Sequence, residues 1–134
     1  MDNLDNKKEP SYLNLISPSQ ADELYERILR ILVVGKKYRD KHYSAKQLSA
    51  DLNTNTRYVS VVFNVRFHMN YTSLINKLRV DEAMSLLADK RYSKLKMQDI
   101  SDMVGFTNRQ SFYSAFCKFK GMTPLNYRKT YSLD

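Results

Sequence analysis

The chain has 134 residues, with 22 Lys or Arg against 14 Asp or Glu and a formal net charge of +8. This length is sufficient for one compact domain or two very small ones. The first twenty residues sum to −1, so the remaining 114 carry +9. A strongly basic chain of this size favours a polyanionic partner such as nucleic acid, although net charge indicates how a protein associates and not how it folds.

The composition also argues against several classes of protein. Cys117, His42 and His68 lie far apart, so neither a disulfide framework nor a zinc site is expected. The longest apolar run, residues 31–34, is too short for a membrane span, and the N-terminus lacks a signal peptide. There is no glycine-rich phosphate loop and no motif of paired acids. We predict a soluble, cytoplasmic all-α protein that is not an enzyme and has no cofactor, metal or membrane partner.

Residues 1–16 are polar and are predicted to be a flexible N-terminal tail. Ser17-Pro18-Ser19-Gln20 has serine at the N-cap, proline in the first turn and glutamine at the capping-box position, which indicates the start of a helix. Leu24 and Ile28 follow at helical spacing, and this helix is predicted to end near residues 35–39.

A helix-turn-helix is predicted next, which makes residues 17–72 a first subdomain. Ser44 opens a helix, the turn-forming residues 53–55 interrupt it, and residues 56–67 resume the helical period. The predicted inner stripe of this second helix is Val59, Val62, Phe63 and Phe67, and the predicted outer face is Arg57, Ser60, Val61 and Asn64.

Residues 73–88 have a strong helical period, which predicts a joining helix roughly 24 Å long. This helix and the two residues after it are predicted to form a linker, residues 73–90, between the two helix-turn-helix halves of the chain. Arg79 lies among its core leucines and is expected to form a structural ion pair. Its candidate partners are Asp81, Glu82 and Asp102.

The last part of the chain, residues 91–134, is predicted to be a second helix-turn-helix subdomain. A short helix over residues 97–104 is expected to stop at Gly105, which adopts the left-handed conformation readily. Thr107 or Asn108 then caps a helix to about residue 120, and Thr123-Pro124 starts a final helix. This gives about seven helices in total. The two halves form a weak repeat, LSADLNTNTRYVSVVF beside ISDMVGFTNRQSFYSAF.

The sequence resembles the DNA-binding domain of the AraC/XylS family of transcriptional regulators, over about residues 17–131. In that family seven helices form two helix-turn-helix units bridged by a long helix, and two recognition helices enter successive major grooves. The motifs that carry the resemblance are Val104-Gly105-Phe106, Ser111-Phe112 with Phe116, Gly121-Met122-Thr123-Pro124, Tyr127-Arg128, and Leu78-Arg79-Val80 with Ala83 and Leu86-Leu87.

The resemblance implies sequence-specific binding of double-stranded DNA and regulation of transcription. It places the recognition helices at about residues 56–66 and 108–120. Arginine is common in the family where this chain has Val61 and Ser114, so base contacts are expected to shift toward the helix N-termini, while Val61 is expected to touch a thymine methyl. The predicted base contacts are Asn55, Thr56, Arg57, Ser60, Val61, Asn64, Asn108, Arg109, Gln110, Tyr113 and Ser114, and the predicted phosphate contacts are Lys46, Lys96, Lys118, Lys120 and Arg128.

The main alternative is a helical protein-interaction module with only weak non-specific DNA binding. Its candidate partners are RNA polymerase or a sensor or dimerisation protein, and an exposed apolar patch at Leu24, Tyr25 or Tyr12 would favour it. The N-terminal forty residues are too few for the sensing domain that many family members carry. The chain is therefore either a small stand-alone member or a piece of a larger regulator.

Overall fold

The computed structural model describes residues 15–132, and every regular element in that range is helical, which confirms the predicted all-α class. Turns of 3-10 helix lie at Lys37–Arg39 and Lys90–Tyr92, and π-helical turns at Arg30–Val34 and Phe63–Phe67 extend the helices before them. The seven α-helices are α1 Pro18–Leu29, α2 Ala45–Asp51, α3 Thr56–Val62, α4 Tyr71–Ala88, α5 Met97–Val104, α6 Arg109–Lys120 and α7 Pro124–Tyr131.

Local sequence explains where the helices begin. Ser17 and Ser44 each form a complete capping box with the glutamine three residues later, so the first backbone amides of α1 and α2 are bonded. Side-chain oxygens cap the starts of α3, α4, α6 and α7 in the same way. The residues that supply them are Asn55, Asn70, Asn108 and Thr123.

The buried side chains form two clusters, one for each helix-turn-helix unit. Ile28, Leu32 and Leu48 are fully buried in the first cluster, and Phe112 and Phe116 are fully buried in the second. Leu15 and Ile16, from the end of the predicted tail, also pack in the first cluster; residues 1–14 lie outside the described range.

Helix α4 belongs to both clusters. Leu74 and Ile75 from its first half are in the first cluster, and Ala83 and Leu87 from its second half are in the second. It begins two residues earlier than predicted, at Asn70 as N-cap, and its 18 residues give a length of about 27 Å. One continuous helix therefore forms a wall of both units.

A short segment around residues 38–40 connects the two units besides α4. Arg79 is 9% exposed, and its Nε donates to the carbonyl oxygen of Tyr38 at 2.7 Å. Its Nη2 donates to the carbonyl oxygen of Asp40 at 3.3 Å, and the guanidinium lies 5.5 Å from the centre of the Phe106 ring. Burial lowers the pKa of Arg79, and Tyr71 and Asp40 partly offset that effect.

The prediction of an Arg79 ion pair is therefore wrong in its partners. Each of the three carboxylates proposed for it binds another cation: Asp81 pairs with Lys77, Glu82 with Arg39, and Asp102 with Lys41. Arg79 is structural, as expected, but it binds backbone carbonyls, which sequence does not mark.

Gly105, at the end of α5, lies against the same 38–40 segment that Arg79 binds. Its φ of 106° is left-handed, as its predicted role as a helix stop requires. A Cβ there would lie 2.7 Å from the carbonyl oxygens of both Tyr38 and Arg39, which is closer than real side chains approach. Gly105 thus lets the turn after α5 lie directly against the segment that Arg79 holds.

Candidate nucleic-acid interface

The outward face of the first recognition helix, which consists of α3 and the turn Phe63–Phe67 that extends it, is polar. Thr56, Arg57, Ser60 and Asn64 are all exposed, as predicted for side chains that reach a groove. Asn55 is exposed as well, but its Oδ1 accepts a hydrogen bond from the backbone N of Tyr58 at 3.0 Å. This bond occupies one lone pair of Oδ1 and leaves the amide nitrogen of Asn55 available to a base.

Val61 does not lie on that face. It is 2% exposed and belongs to the first core cluster with Val59, Val62 and Phe63. The reason is geometric, because α3 packs against both α1 and α2 and so buries a wider arc than the single stripe predicted. The predicted contact between Val61 and a thymine methyl is therefore wrong.

The second recognition helix, α6, has one buried side and one exposed side. Phe112, Ala115 and Phe116 are buried, while Arg109, Gln110 and Ser114 are exposed on the other side. This arrangement leaves the first turn of α6 with its polar side chains in solvent.

Two further side chains of α6 are only partly available to a ligand. Asn108 is exposed, but its Oδ1 caps the helix by accepting from the backbone N of Ser111 at 2.8 Å. Tyr113 is half-buried, with its ring edge-on to that of Phe112 at 5.8 Å. The Tyr113 ring therefore packs partly against the second cluster, and only part of it is available to a ligand.

Most of the predicted phosphate contacts lie at the surface. Lys46, Lys96 and Lys118 are exposed, and Lys120 is half-buried. A lysine at the surface has a mobile stem and a solvated ammonium, which suits contact with a phosphate.

Arg128 is different, and its predicted phosphate contact is wrong. Its Nη1 donates to the carbonyl oxygen of Leu95 at 2.8 Å and its Nη2 to that of Tyr92 at 3.4 Å, while its Nε is buried. The guanidinium therefore ties α7 to the turn that follows α4. No local sequence signal identifies partners that lie more than thirty residues away.

Arg57 and Arg109 form none of the ion pairs found among residues 15–132. Arg39, Arg66 and Arg91 form ion pairs with Glu82, Asp22 and Asp89, respectively. Each of the two unpaired guanidinium groups lies in the first turn of a recognition helix, where backbone amides also favour an anion.

Two open clefts lie on either side of the first half of α4. One, of about 310 Å³, is lined by Thr56, Ser60 and Asn64 of the first unit and by Asn70 and Tyr71 at the start of α4. The other, of about 460 Å³, lies between α4 and α6. Its lining residues are Asn76, Asn108, Gln110, Ser111, Ser114, Ala115 and Lys118.

The outward faces of both recognition helices thus border the same stretch of α4. Sequence reasoning did not single out Asn76, which lines the second cleft opposite Gln110 and Ser114. The only sequence signal was a polar residue between the apolar residues 74–75 and 78, which is ordinary for an amphipathic helix.

The surface that would favour a protein partner is not present at two of its three predicted positions. Leu24 is 8% exposed, and Tyr25 is half-buried with its ring 4.9 Å from that of Phe67. Tyr12, the third position, lies outside the described residues. Within residues 15–132 no cluster of His, Cys, Asp or Glu is placed to hold a metal ion, and none of the helices is long and apolar enough to cross a membrane.

Comparison with known proteins agrees with this geometry. A family described as "Helix-turn-helix domain" matches residues 48–130. The raffinose operon transcriptional regulatory protein RafR of Pediococcus pentosaceus is 26% identical over 117 residues, covering 84% of this chain and 41% of that protein. The melibiose operon regulatory protein of Escherichia coli K12 is 29% identical over 90 residues, covering 67% of this chain and 29% of that protein.

Among solved structures, one similar fold is the C-terminal domain of the two-component response regulator yesN from Fusobacterium nucleatum. It has a TM-score of 0.66 and 28% identity, and the match covers 81% of this chain and 98% of that domain. The chain spans less than half the length of the two operon regulators that it matches. The similarity is therefore to one domain of those regulators.

Proposed function

Because the chain belongs to the AraC-type family of helix-turn-helix transcriptional regulators, we propose that it binds double-stranded DNA at a bipartite site and so regulates transcription. The recognition helices α3 and α6 would enter two successive major grooves, whose centres are about 34–36 Å apart on one face of the duplex. The observation that carries the proposal is that both helices expose a polar first turn beside one shared helix, α4.

The chemistry of those first turns suits base recognition. Arg57 and Arg109 are exposed cations, and a guanidinium makes two hydrogen bonds to guanine in the major groove. Gln110 is suited to adenine in the same way. The remaining proposed base contacts are Asn55, Thr56, Ser60, Asn64, Asn108, Tyr113 and Ser114, with phosphate contacts from Lys46, Lys96, Lys118 and Lys120.

The rigid junction supports a fixed spacing between the two half-sites. Arg79 binds the backbone of the 38–40 segment, and Glu82 on the same helix binds Arg39 and the hydroxyl of Tyr38. These bonds hold the 38–40 segment to α4, and Gly105 and Phe106 of the second unit lie against that segment and against Arg79. The two recognition helices would therefore present themselves to DNA at one separation.

Selection of bound duplexes from a random pool tests the proposal. We expect two short motifs separated by about one helical turn. The affinity should also fall steeply with salt, because several phosphates are neutralised. Arg57→Ala should weaken the preference within one motif only.

Other outcomes of the selection would contradict the proposal in separable ways. A single motif that Arg57→Ala leaves unchanged would show that only the second unit reads bases. No enriched motif together with a flat salt response would overturn DNA binding as the function. The matched control is Lys94→Ala, which removes an exposed cation outside both recognition helices and should leave both motifs intact.

We propose a second partner and a cellular location for the chain, each stated only as a general class. The operon regulators that the chain resembles are more than twice as long as the matched region. A sensor or dimerisation partner, or RNA polymerase, is therefore proposed as the second partner. Its binding would give DNA recognition a regulatory effect in the cytoplasm, without catalysis by this chain.

A further inference from the structure

Asn76 is in an unusual position for a polar residue of the linker helix. It lies in the second turn of α4, is half-buried, and lines the cleft of about 460 Å³ that separates α4 from α6. The opposite wall consists of Gln110, Ser114 and Lys118, which all belong to the outward face of the second recognition helix. The amide of Asn76 therefore borders the same space as the side chains proposed to contact DNA.

The cleft lined by Asn76 lies close to the first cleft along α4. Asn70 and Tyr71, at the start of α4, line that cleft together with the outward residues Thr56 and Ser60 of the first unit. Only about 7–9 Å of helix separates these residues from Asn76. The first two turns of α4 are thus bordered on one side by the outward face of α3 and on the other by that of α6.

The cleft beside Asn76 has the chemistry of an anion site. Of its seven lining residues, five supply side-chain amides or hydroxyls and Lys118 supplies an ammonium, while none carries a carboxylate. Lys118 is exposed and forms none of the ion pairs found among residues 15–132. Amides and ammonium groups are the usual donors to phosphate oxygens.

DNA bound by both recognition helices would bring an anion to this cleft. A protein that enters two successive major grooves from one face spans the minor groove between them and the sugar-phosphate backbone on its edges. We propose that Asn76 and Lys118 form a phosphate-binding site for the DNA backbone between the two half-sites. This inference rests on the proposed function, to which it adds a contact from the linker helix.

The role of such a contact is to position the protein. A phosphate held between α4 and α6 carries no sequence information, but it fixes how deeply α6 enters its groove. Asn76 contributes a neutral donor and Lys118 a charge. The two variants therefore affect binding differently, and that difference allows them to be told apart.

Binding to a duplex of about 30 bp, roughly three helical turns, tests the site at several salt concentrations. Asn76→Ala should weaken binding about fivefold and leave the salt slope unchanged, since it removes an uncharged hydrogen bond. Asn76→Asp should weaken binding more, since it adds a negative charge beside the phosphate. Lys118→Ala should lower the salt slope by about one.

Ser85→Asp is the matched control for the added charge. Ser85 is exposed on the same helix, nine residues further along and therefore about 180° around it from Asn76. It should leave DNA affinity within about twofold of wild type, because an exposed charge directed away from DNA is largely screened. Ethylation interference adds a positional readout: Asn76→Ala and Lys118→Ala should both abolish interference at the same phosphate, between the two motifs.

The outcomes separate this inference from the proposed function. If wild type binds no duplex, the proposed function fails and the site fails with it. If wild type binds and Asn76→Ala and Asn76→Asp bind equally well, only the phosphate site is overturned. Thermal unfolding of each variant checks the fold; should the Asn76 variants unfold, Lys118→Ala decides, because an unchanged salt slope and an unchanged interference pattern would overturn the site.

Discussion

Arg79 Nε donates a hydrogen bond to the backbone carbonyl oxygen of Tyr38 at 2.7 Å, so the linker helix holds a segment 41 residues away. The same guanidinium binds the carbonyl oxygen of Asp40 and lies over the ring of Phe106, which belongs to the second unit. One buried cation thus joins the linker helix, the segment before the first helix-turn-helix and the core of the second. Its loss should affect both units.

We expect Arg79→Met to destabilise the protein by about 2 kcal/mol or more, because it keeps much of the side-chain volume but leaves two carbonyl oxygens without their donors. Lys77→Ala on the same helix is the control. It removes only an exposed ion pair with Asp81 and should cost about 0.5 kcal/mol or less. Urea unfolding measures both. Equal costs for the two variants would show that Arg79 does not hold the junction.

Gly105→Ala should be strongly destabilising, by at least about 2 kcal/mol, because both its backbone conformation and its surroundings exclude a Cβ. Its φ is 106°, and the added atom would lie 2.7 Å from two backbone oxygens. Gly121→Ala is a matched comparison, since Gly121 also has a positive φ of 73° but has no atom within 4 Å of the added Cβ.

Gly121→Ala should therefore cost only about 1 kcal/mol, the conformational part of the effect. Thermal unfolding of both variants separates the close approach from the conformational preference. Similar losses at the two glycines would mean that the contact with residues 38 and 39 is not tight in solution.

Glu82 should make stability depend on pH in the acid range. Burial raises the pKa of Glu82, but hydrogen bonds from Arg39 and Tyr38, together with the charges of Arg39 and Lys36, outweigh burial, so the net pKa lies below its ordinary value of 4.5. A carboxyl group whose pKa is lower in the folded state stabilises the fold when ionised. Its contribution should be fully present above about pH 5 and should be lost as the pH falls through the folded pKa.

Glu82→Gln should accordingly be less stable than wild type near neutral pH, and the difference should shrink as the solution is acidified below about pH 4. Asp89→Asn is a comparison: Asp89 also has a lowered pKa, but it pairs with Arg91 only two residues away at the surface, so its pH-dependent difference should be smaller. Unfolding midpoints measured across the acid range test the prediction. A difference between wild type and Glu82→Gln that stays constant with pH would contradict it.

The parts of the fold that sequence predicted are those determined locally. Ser17 and Ser44 cap helices with neighbours three residues away, and Gly105 stops α5 through its own backbone conformation. The periodicity of apolar residues likewise predicted the helix over residues 73–88. Each of these signals lies within a few residues of the structure that it specifies.

The errors at the candidate site all concern long-range packing. Whether Val61 is buried depends on how many helices contact α3, and the partners of Arg79 and Arg128 are backbone carbonyls from distant turns. A carbonyl group is present at every residue, so no sequence pattern marks the ones that are used. The place of Asn76 beside α6 follows from the packing angle between two helices, which sequence leaves open.

Val61→Ala and Ser60→Ala should distinguish core from surface on the first recognition helix. Val61 is buried, so its truncation should cost about 2 kcal/mol through lost packing and a cavity. Ser60 is exposed, so Ser60→Ala should change stability by less than about 0.5 kcal/mol. If Val61→Ala instead leaves stability unchanged and alters the preferred DNA sequence, Val61 reaches a base after all.

Arg109→Ala should change which DNA sequences are preferred and leave the fold nearly unaffected. Arg109 is exposed in the first turn of α6, and a bidentate contact with guanine is worth about 1–3 kcal/mol of discrimination. The variant should therefore lose its preference at one base position within one motif, with little change elsewhere. Affinities for duplexes substituted at single positions measure this loss directly.

Lys118→Ala, on the same helix, is the comparison for Arg109→Ala. Since a phosphate contact does not depend on sequence, Lys118→Ala should weaken every duplex by a similar factor and reduce the salt slope. The two variants should thus give different patterns, one selective and one uniform. If Arg109→Ala also weakens all duplexes equally and lowers the salt slope, Arg109 binds phosphate, and base recognition by α6 would then rest on residues such as Gln110 and Ser114, which are exposed in the cleft beside α4.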